Sequence, residues 1–120
     1  MRATDDLGRY GEDLACRHLS AAGFTLLERN WRCARGEIDA VALDADGTLV
    51  FVEVKTRSSG AFGSPAEAVT IAKARRLRGL ALSWLAAHPQ PARRGLRFDV
   101  VCVVRSRGSA PVVHHLRGAF

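Results

Sequence analysis

The chain of 120 residues carries 18 Lys and Arg against 12 Asp and Glu, for a net charge of +6 at pH 7 and an isoelectric point of about 10.2, and 48% of it is hydrophobic. Its length suits one domain, 1–120, with a single core and excludes a second core of ordinary size, while the composition lies in the globular range and excludes a disordered chain. No apolar run approaches the ~20 residues that span a bilayer, so no membrane association is expected, and the excess of basic over acidic residues points to a polyanionic partner, nucleic acid before others.

Residues 5–22 place Leu7, Tyr10, Leu14, Ala15, His18, Leu19 and Ala22 near a helical period, with Asp5 and Asp6 as candidate caps and Gly23 as terminator. The first helix is therefore amphipathic, with Glu12 at the edge of its apolar stripe. Phe24 to Arg32 forms a first strand that ends around Trp31, and Cys33-Ala34-Arg35-Gly36 makes a tight connection to the next.

Residues 37–43 and 49–55 are mostly apolar and rich in Val, Ile, Leu and Phe, and Asp44-Ala45-Asp46-Gly47 separates them. This is the pattern of a β-hairpin. If Gly47 takes the left-handed position of a three-residue loop, Asp44 faces Thr48, and counting back sets Asp39 opposite Glu53 and Glu37 opposite Lys55. Alternation then puts Asp39 on the face of Val41 and Leu43, together with Leu49, Phe51, Glu53 and Lys55 from the partner strand. Opposed carboxylates about 5 Å apart at Cβ repel each other unless a positive charge lies between them. An all-oxygen pair suits Mg²⁺ or Mn²⁺ better than Zn²⁺, and a lysine beside such an ion can orient the attacking water and offset charge developing on a phosphate. The alternative for the same residues is charge that discourages edge pairing or forms a surface ion pair.

Composition bears on that choice. Only Lys55 and Lys73 are lysine among the 18 basic residues, so arginine is used almost wherever a generic positive charge serves. A lysine at 55 supplies a compact ammonium with an adjustable pKa, which a guanidinium cannot replace.

Asp39 followed by Glu53-Val54-Lys55 resembles the D…(D/E)xK signature of the restriction-endonuclease-like nuclease superfamily. Together with Gly11-Glu12, Asn30-Trp31-Arg32, Gly36-Glu37-Ile38-Asp39, Phe51 through Arg57, Arg97-Phe98-Asp99-Val100 and Ala119-Phe120, the chain resembles the YraN-like family of small bacterial proteins, related in fold to archaeal Holliday-junction resolvases. The resemblance implies a restriction-endonuclease-like core. It also implies a metal-dependent nuclease in which Asp39, Glu53 and Lys55 are catalytic, Asp39 and Glu53 hold Mg²⁺ or Mn²⁺, and Glu12 is an auxiliary acid from the first helix. Glu37 ranks below Asp39, as a supporting acid or a partner of Lys55.

The segment from Thr56 to Gly63 is a polar, glycine-bearing loop at the mouth of this site, where Arg57 could clamp a phosphate; an ordinary exposed connection is the alternative. Ser64-Pro65-Ala66-Glu67 has the form of a capping box, and Thr70 is a second cap for a helix running through Leu77, Leu80, Ala81, Trp84 and Leu85 to His88-Pro89. Lys73, Arg75, Arg76 and Arg78 make the densest basic run in the chain and are candidate nucleic-acid contacts; a solvated helix face is the alternative. After a loop at 89–95, Leu96–Val104 is a strand, and the strand, helix, strand sequence makes a parallel crossover. Asp99 is assigned a structural role. Val112–Leu116 is a last edge strand, on which His114 and His115 point to opposite faces and read as edge polar residues.

The expected fold is thus a single α/β domain, a mixed sheet flanked by helices in the order αβββαββ. Three unevenly spaced cysteines, Cys16, Cys33 and Cys102, read as reduced thiols, and no signal-peptide core opens the chain, so a cytoplasmic protein is expected. The expected partner is nucleic acid, DNA before RNA, and symmetric cutting of two strands would call for a homodimer. Two other classes fit the same residues: a nucleic-acid-binding module that keeps the fold but cleaves nothing, and a small interaction protein whose basicity is incidental.

Overall fold

In the computed structural model, which describes residues 3–58, 69–89 and 93–120, the hairpin at the centre of the chain builds the middle of a five-stranded sheet. The described elements are α1 (Ala3–Ala21), β1 (Thr25–Cys33), β2 (Gly36–Leu43), β3 (Leu49–Ser58), α2 (Ile71–Ala87), β4 (Leu96–Arg105) and β5 (Val112–Leu116). The strands lie in the order β1-β2-β3-β4-β5, with β3 and β4 parallel and every other neighbouring pair antiparallel. Together they form a single α/β domain with a mixed sheet and two helices.

Strand alternation sorts the core into two layers. Ala40, Ala42, Val50, Val52, Val101 and Val103 pack with Ala15, Cys16, Leu19 and Phe24 on the α1 side. Val41, Leu49 and Phe51 pack with Leu77, Leu80, Ala81 and Trp84 on the α2 side. Central strands covered on both faces read as continuous apolar runs, and this is why β3 begins with four consecutive buried residues.

The local signals act as their chemistry dictates. Gly23 closes α1 at φ 95°, where Gly23 N donates to Ser20 O and Phe24 N to Leu19 O, the paired bonds of a Schellman cap. Asp5 and Asp6 do not cap α1; the helix begins at Ala3, so they lie inside it. Thr70 does cap α2, accepting from Lys73 N at 3.1 Å, and the helix ends at His88. Thr56–Ser58, expected in the glycine-bearing loop, instead continue β3 along β4; the rest of that loop, the capping box at 64–67 and residues 90–92 lie outside the described residues.

A buried ionic cluster fixes the far end of the sheet. The Arg97 guanidinium donates to Asp44 Oδ2 at 2.6 Å and to both oxygens of Asp99 at 2.9 and 3.1 Å. Asp99, with no exposed surface, also accepts from Gly118 N, and His115 Nε2 lies 2.8 Å from its Oδ2. The structural role assigned to Asp99 is what the geometry shows, whereas His115 is not an edge polar residue: its side chain is 9% exposed and belongs to this cluster. Burial alone would raise the Asp99 carboxyl, but the bonds from His115, Arg97 and Gly118 outweigh it and hold the group below its ordinary value. Ala119 N donates to Phe98 O, and Phe120 packs on the α2-side core, so this cluster and the strand beside it anchor the terminal residues.

Candidate functional site

The predicted register holds along the hairpin. Gly47 has φ 91°, Asp44 N donates to Thr48 O, and the ladder runs Leu43↔Leu49, Ala42↔Val50, Val41↔Phe51 and Ala40↔Val52. It stops one pair short of Asp39 and Glu53. There the Asp39 carboxylate turns into the gap, and its Oδ2 accepts from Val54 N at 2.8 Å. A side chain has taken the place of a backbone acceptor, so β2 and β3 separate from this point on.

This geometry corrects two expectations. Asp39 does not simply share the face of Val41 and Leu43, because Ile38 packs on the α2 side with Val41 while Ala40 packs on the α1 side, and alternation therefore breaks at Asp39. Glu37 does not pair with Lys55; its Oε2 accepts from Arg32 Nε at 3.1 Å, across the β1–β2 ladder where the two residues are partners. Glu37 stays near enough to Asp39 for its negative charge to help raise the Asp39 carboxyl.

On β1 the break has a counterpart. Asn30, which would face Asp39, adopts φ 52°, a left-handed conformation that asparagine tolerates better than most residues. Its Nδ2 donates to Glu12 Oε1 at 2.8 Å, while neighbouring Arg29 donates to Asp13 at 2.8 Å. Asn30 thereby orients the α1 carboxylate toward the hairpin. Sequence reasoning missed this role, although an asparagine between strand residues Arg29 and Trp31 is the kind of residue that marks an irregular backbone.

Glu53 is oriented from the opposite helix. Arg76 Nη2 donates to Glu53 Oε2 at 3.0 Å, with the Glu53 side chain 13% exposed and Arg76 44% exposed. Arg76, one of the candidate nucleic-acid contacts, is thus engaged with the site itself. Arg78 lies over the Phe98 ring at 5.6 Å, Lys73 is half-buried at the start of α2, and Arg75 is exposed. Arg57 lies near the end of β3, opposite Val104 in the β3–β4 ladder.

Lys55 and Glu12 line one cleft. A cavity of about 340 Å³ lies between α1 and β3, bounded by Leu7, Gly8, Glu12, Val54, Lys55 and Thr56. The helix comes this close because residue 11 is glycine: a Cβ there would stand 1.8 Å from Thr56 Oγ1 and 2.8 Å from its Cβ. We expect Gly11→Ala to push α1 off β3, lowering stability by about 1–3 kcal/mol as overpacked contacts do and moving Glu12 away from Asp39. Urea denaturation measures the first effect; an unchanged midpoint would mean that α1 does not depend on this contact.

Electrostatically the site is frustrated. The Asp39 carboxyl is pushed up to about 7, first by burial, against which the Val54 N–H works, and then by the negative charges of Glu53, Glu12 and Glu37. The fold gathers acids around a buried acid without neutralising it. Among the described residues no three His, Cys, Asp or Glu side chains are grouped to hold a metal ion. An ion at Asp39 and Glu53 would therefore have two carboxylates from the protein and complete its shell with water or substrate oxygens, the usual arrangement for Mg²⁺. The donor chemistry of that pair fits a hard divalent cation.

An α/β domain with a five-stranded mixed sheet, a hairpin split by an inward aspartate and an acid-and-lysine cleft under its first helix is what fold and site define. The chain belongs to the uncharacterised protein family UPF0102, whose profile matches residues 11–103. It is 59% identical over 118 residues to a UPF0102 protein of Beutenbergia cavernae, covering 98% of each chain. It is 56% identical over 120 residues to one of Parafrankia sp., covering 100% of each, and 55% identical over 119 residues to one of Streptomyces coelicolor, covering 98% of this chain and 91% of that one. The family expected from the YraN-like blocks is therefore the one found. No described helix is long and apolar enough to cross a membrane.

Proposed function

We propose that this protein is a metal-dependent nuclease with a restriction-endonuclease-like core, akin in fold to archaeal Holliday-junction resolvases, that hydrolyses phosphodiester bonds in nucleic acid, DNA before RNA and branched or processed intermediates among its substrates. The observation that carries this reading is the Asp39 carboxyl, held in the β2–β3 gap by Val54 N and raised to about 7 by burial and the surrounding acids. Such a site costs stability unless it binds a cation, and perturbed acids in a cleft are a mark of function.

In this reading Asp39 and Glu53 hold Mg²⁺ or Mn²⁺. When bound, the ion lowers the pKa of a water ligand and draws charge from a phosphate oxygen. Lys55 orients the attacking water and offsets negative charge gathering on the phosphorus oxygens. Glu12, set by Asn30, is placed to accept a proton through a second water. Arg76 orients Glu53 and keeps one of its oxygens engaged, leaving the carboxylate its second oxygen for the ion. One water O–H and one P–O ester bond break, a new P–O bond forms, and the proton leaves with the alkoxide.

The same ion pair favours a second reading, a nucleic-acid-binding module without turnover, because an Arg76 that satisfies Glu53 lessens the need for a metal. Incubation with single-stranded, duplex, flap and branched DNA and RNA, each with Mg²⁺, Mn²⁺ or EDTA, separates them. Metal-dependent cleavage of at least one substrate is expected. Tight binding with no cleavage across the whole panel, and indifference to Asp39→Asn with metal present, defeats the nuclease.

A further inference from the structure

A second cavity, of about 740 Å³, lies at the end of the sheet beyond the site and is lined by Ser58, Arg105, Ser106, Arg107 and Gly108. Ser58 and Arg105 are the last pair of the parallel β3–β4 ladder, and the other three residues belong to the turn that leads toward β5. Ligands of open α/β sheets gather outside the carboxyl ends of parallel strands, and these two strands are the parallel pair. Two guanidiniums, two hydroxyls and a glycine backbone line the space, with no acidic side chain among the described lining residues. That lining suits phosphate oxygens, which arginine grips with paired N–H donors.

The two arginines differ in how they are held. Arg105 is exposed and its guanidinium stands 5.1 Å from the centre of the Tyr10 ring, so α1 fixes its direction. Arg107 is exposed on the turn beside Gly108, which has φ 68°. Neither belongs to the basic run on α2, which lies in a different part of the chain.

We infer that this cavity is a phosphodiester-backbone site that seats the nucleic acid at a distance from the acids; the inference rests on the proposal that nucleic acid is the ligand. Five residue steps along β3 lead from Glu53 to Ser58, about 17 Å at 3.3–3.4 Å per step. A nucleic-acid strand advances about 3.4 Å per nucleotide along the axis, so the seated phosphate lies roughly five nucleotides from the scissile one. The site therefore acts on substrate length as well as affinity.

The test is fluorescence anisotropy of a labelled oligonucleotide, metal-free, across a salt series, with the wild type, Arg107→Gln, Arg105→Gln/Arg107→Gln and, as a control for generic charge, Arg94→Gln. Arg94 is exposed at the opposite end of β4, beside Gly47. The slope of log K against log salt should fall by about 0.7–0.9 for Arg107→Gln and about twice that for the pair, and should stay at the wild-type value for Arg94→Gln. Arg107 stands on an exposed turn, so the single variant decides the matter if the double variant unfolds. In cleavage assays with Mg²⁺, the difference between wild type and Arg107→Gln should disappear for substrates too short to reach from the scissile phosphate to the cavity, roughly five nucleotides.

Wild-type slopes in the arginine variants, or an equal fall in Arg94→Gln, would overturn the inference while leaving a nuclease in place. Displacement of the oligonucleotide by inorganic phosphate at matched ionic strength and comparable concentration would also overturn it, by making the cavity a free-anion site. Reduced slopes without any cleavage would support it and count against the nuclease alone. A wild type that binds no oligonucleotide overturns both.

Discussion

Asp39→Asn should make the metal-free protein more stable at pH 8, with the gain fading as the pH falls toward 4. The folded-state carboxyl is raised to about 7 from an ordinary value of 3.8, so the native state holds its proton more tightly than the unfolded chain. Between about pH 4 and pH 7 the unfolded chain releases the proton first, stability falls as pH rises, and above pH 7 the full cost is present. Three pH units at about 1.4 kcal/mol each set an upper figure near 4 kcal/mol, and relaxation brings it to roughly 2–4 kcal/mol.

Asparagine keeps an oxygen for Val54 N–H and carries no charge, so the variant escapes this cost. At about 3–6 °C per kcal/mol the melting temperature should rise by roughly 10 °C at pH 8 and by little at pH 4. The acid limb is governed by other groups. Burial works to raise the Asp44 carboxyl, but hydrogen bonds from Asp46, Thr48 and Arg97 pull it down from 3.8 to about 2, so its contribution declines as pH falls below about 4 and is gone below about 2.

Adding Mn²⁺ at pH 8 should raise the melting temperature of the wild type, because a ligand that binds only the folded state stabilises it, and should leave Asp39→Asn where it was. Without metal the variant should bind nucleic acid at least as well as the wild type, having lost a charge that repels phosphate, and with Mg²⁺ it should bind but not cut. A variant less stable than wild type at pH 8 would show that the carboxylate is not frustrated, and the argument for a cation at this site would go with it.

Lys55→Arg should fold as the wild type and lose cleavage by about 10²–10⁴-fold, the range for removing a positioned proton-transfer group or charge stabiliser. The substitution keeps the positive charge, in a chain where 16 of 18 basic residues are already arginine. What it removes is the compact ammonium of a residue that lines the same cleft as Glu12; the guanidinium that replaces it is larger and planar and stays protonated. Single-turnover rates at saturating Mg²⁺, with circular dichroism as the check on folding, measure the effect. A wild-type rate would reduce Lys55 to a generic charge and leave the two acids as the whole of the chemistry.

The sequence by itself determined the features set by near neighbours. Apolar alternation and the Asp44–Gly47 loop set the hairpin register, because a left-handed glycine and a three-residue turn leave one way to pair the strands. Thr70, Gly23 and the apolar pattern after Ile71 set helix ends, because capping is satisfied within a few residues. The family blocks singled out Asp39 and Glu53, which the fold then holds by different partners, Val54 N for one and Arg76 for the other. Alternation counted along one strand could not show that Asp39 leaves the ladder, because the cause is a hydrogen bond to Val54 and an irregularity at Asn30 on another strand. Nor could it show that Arg76 engages Glu53, that Arg32 takes Glu37, or that Arg97 ties Asp44 to Asp99 and with it the chain terminus, since those partners lie up to 53 residues apart. Tertiary structure decided these because a charged side chain settles on whichever partner packing brings within hydrogen-bond reach, and that distance is not written in spacing along the chain.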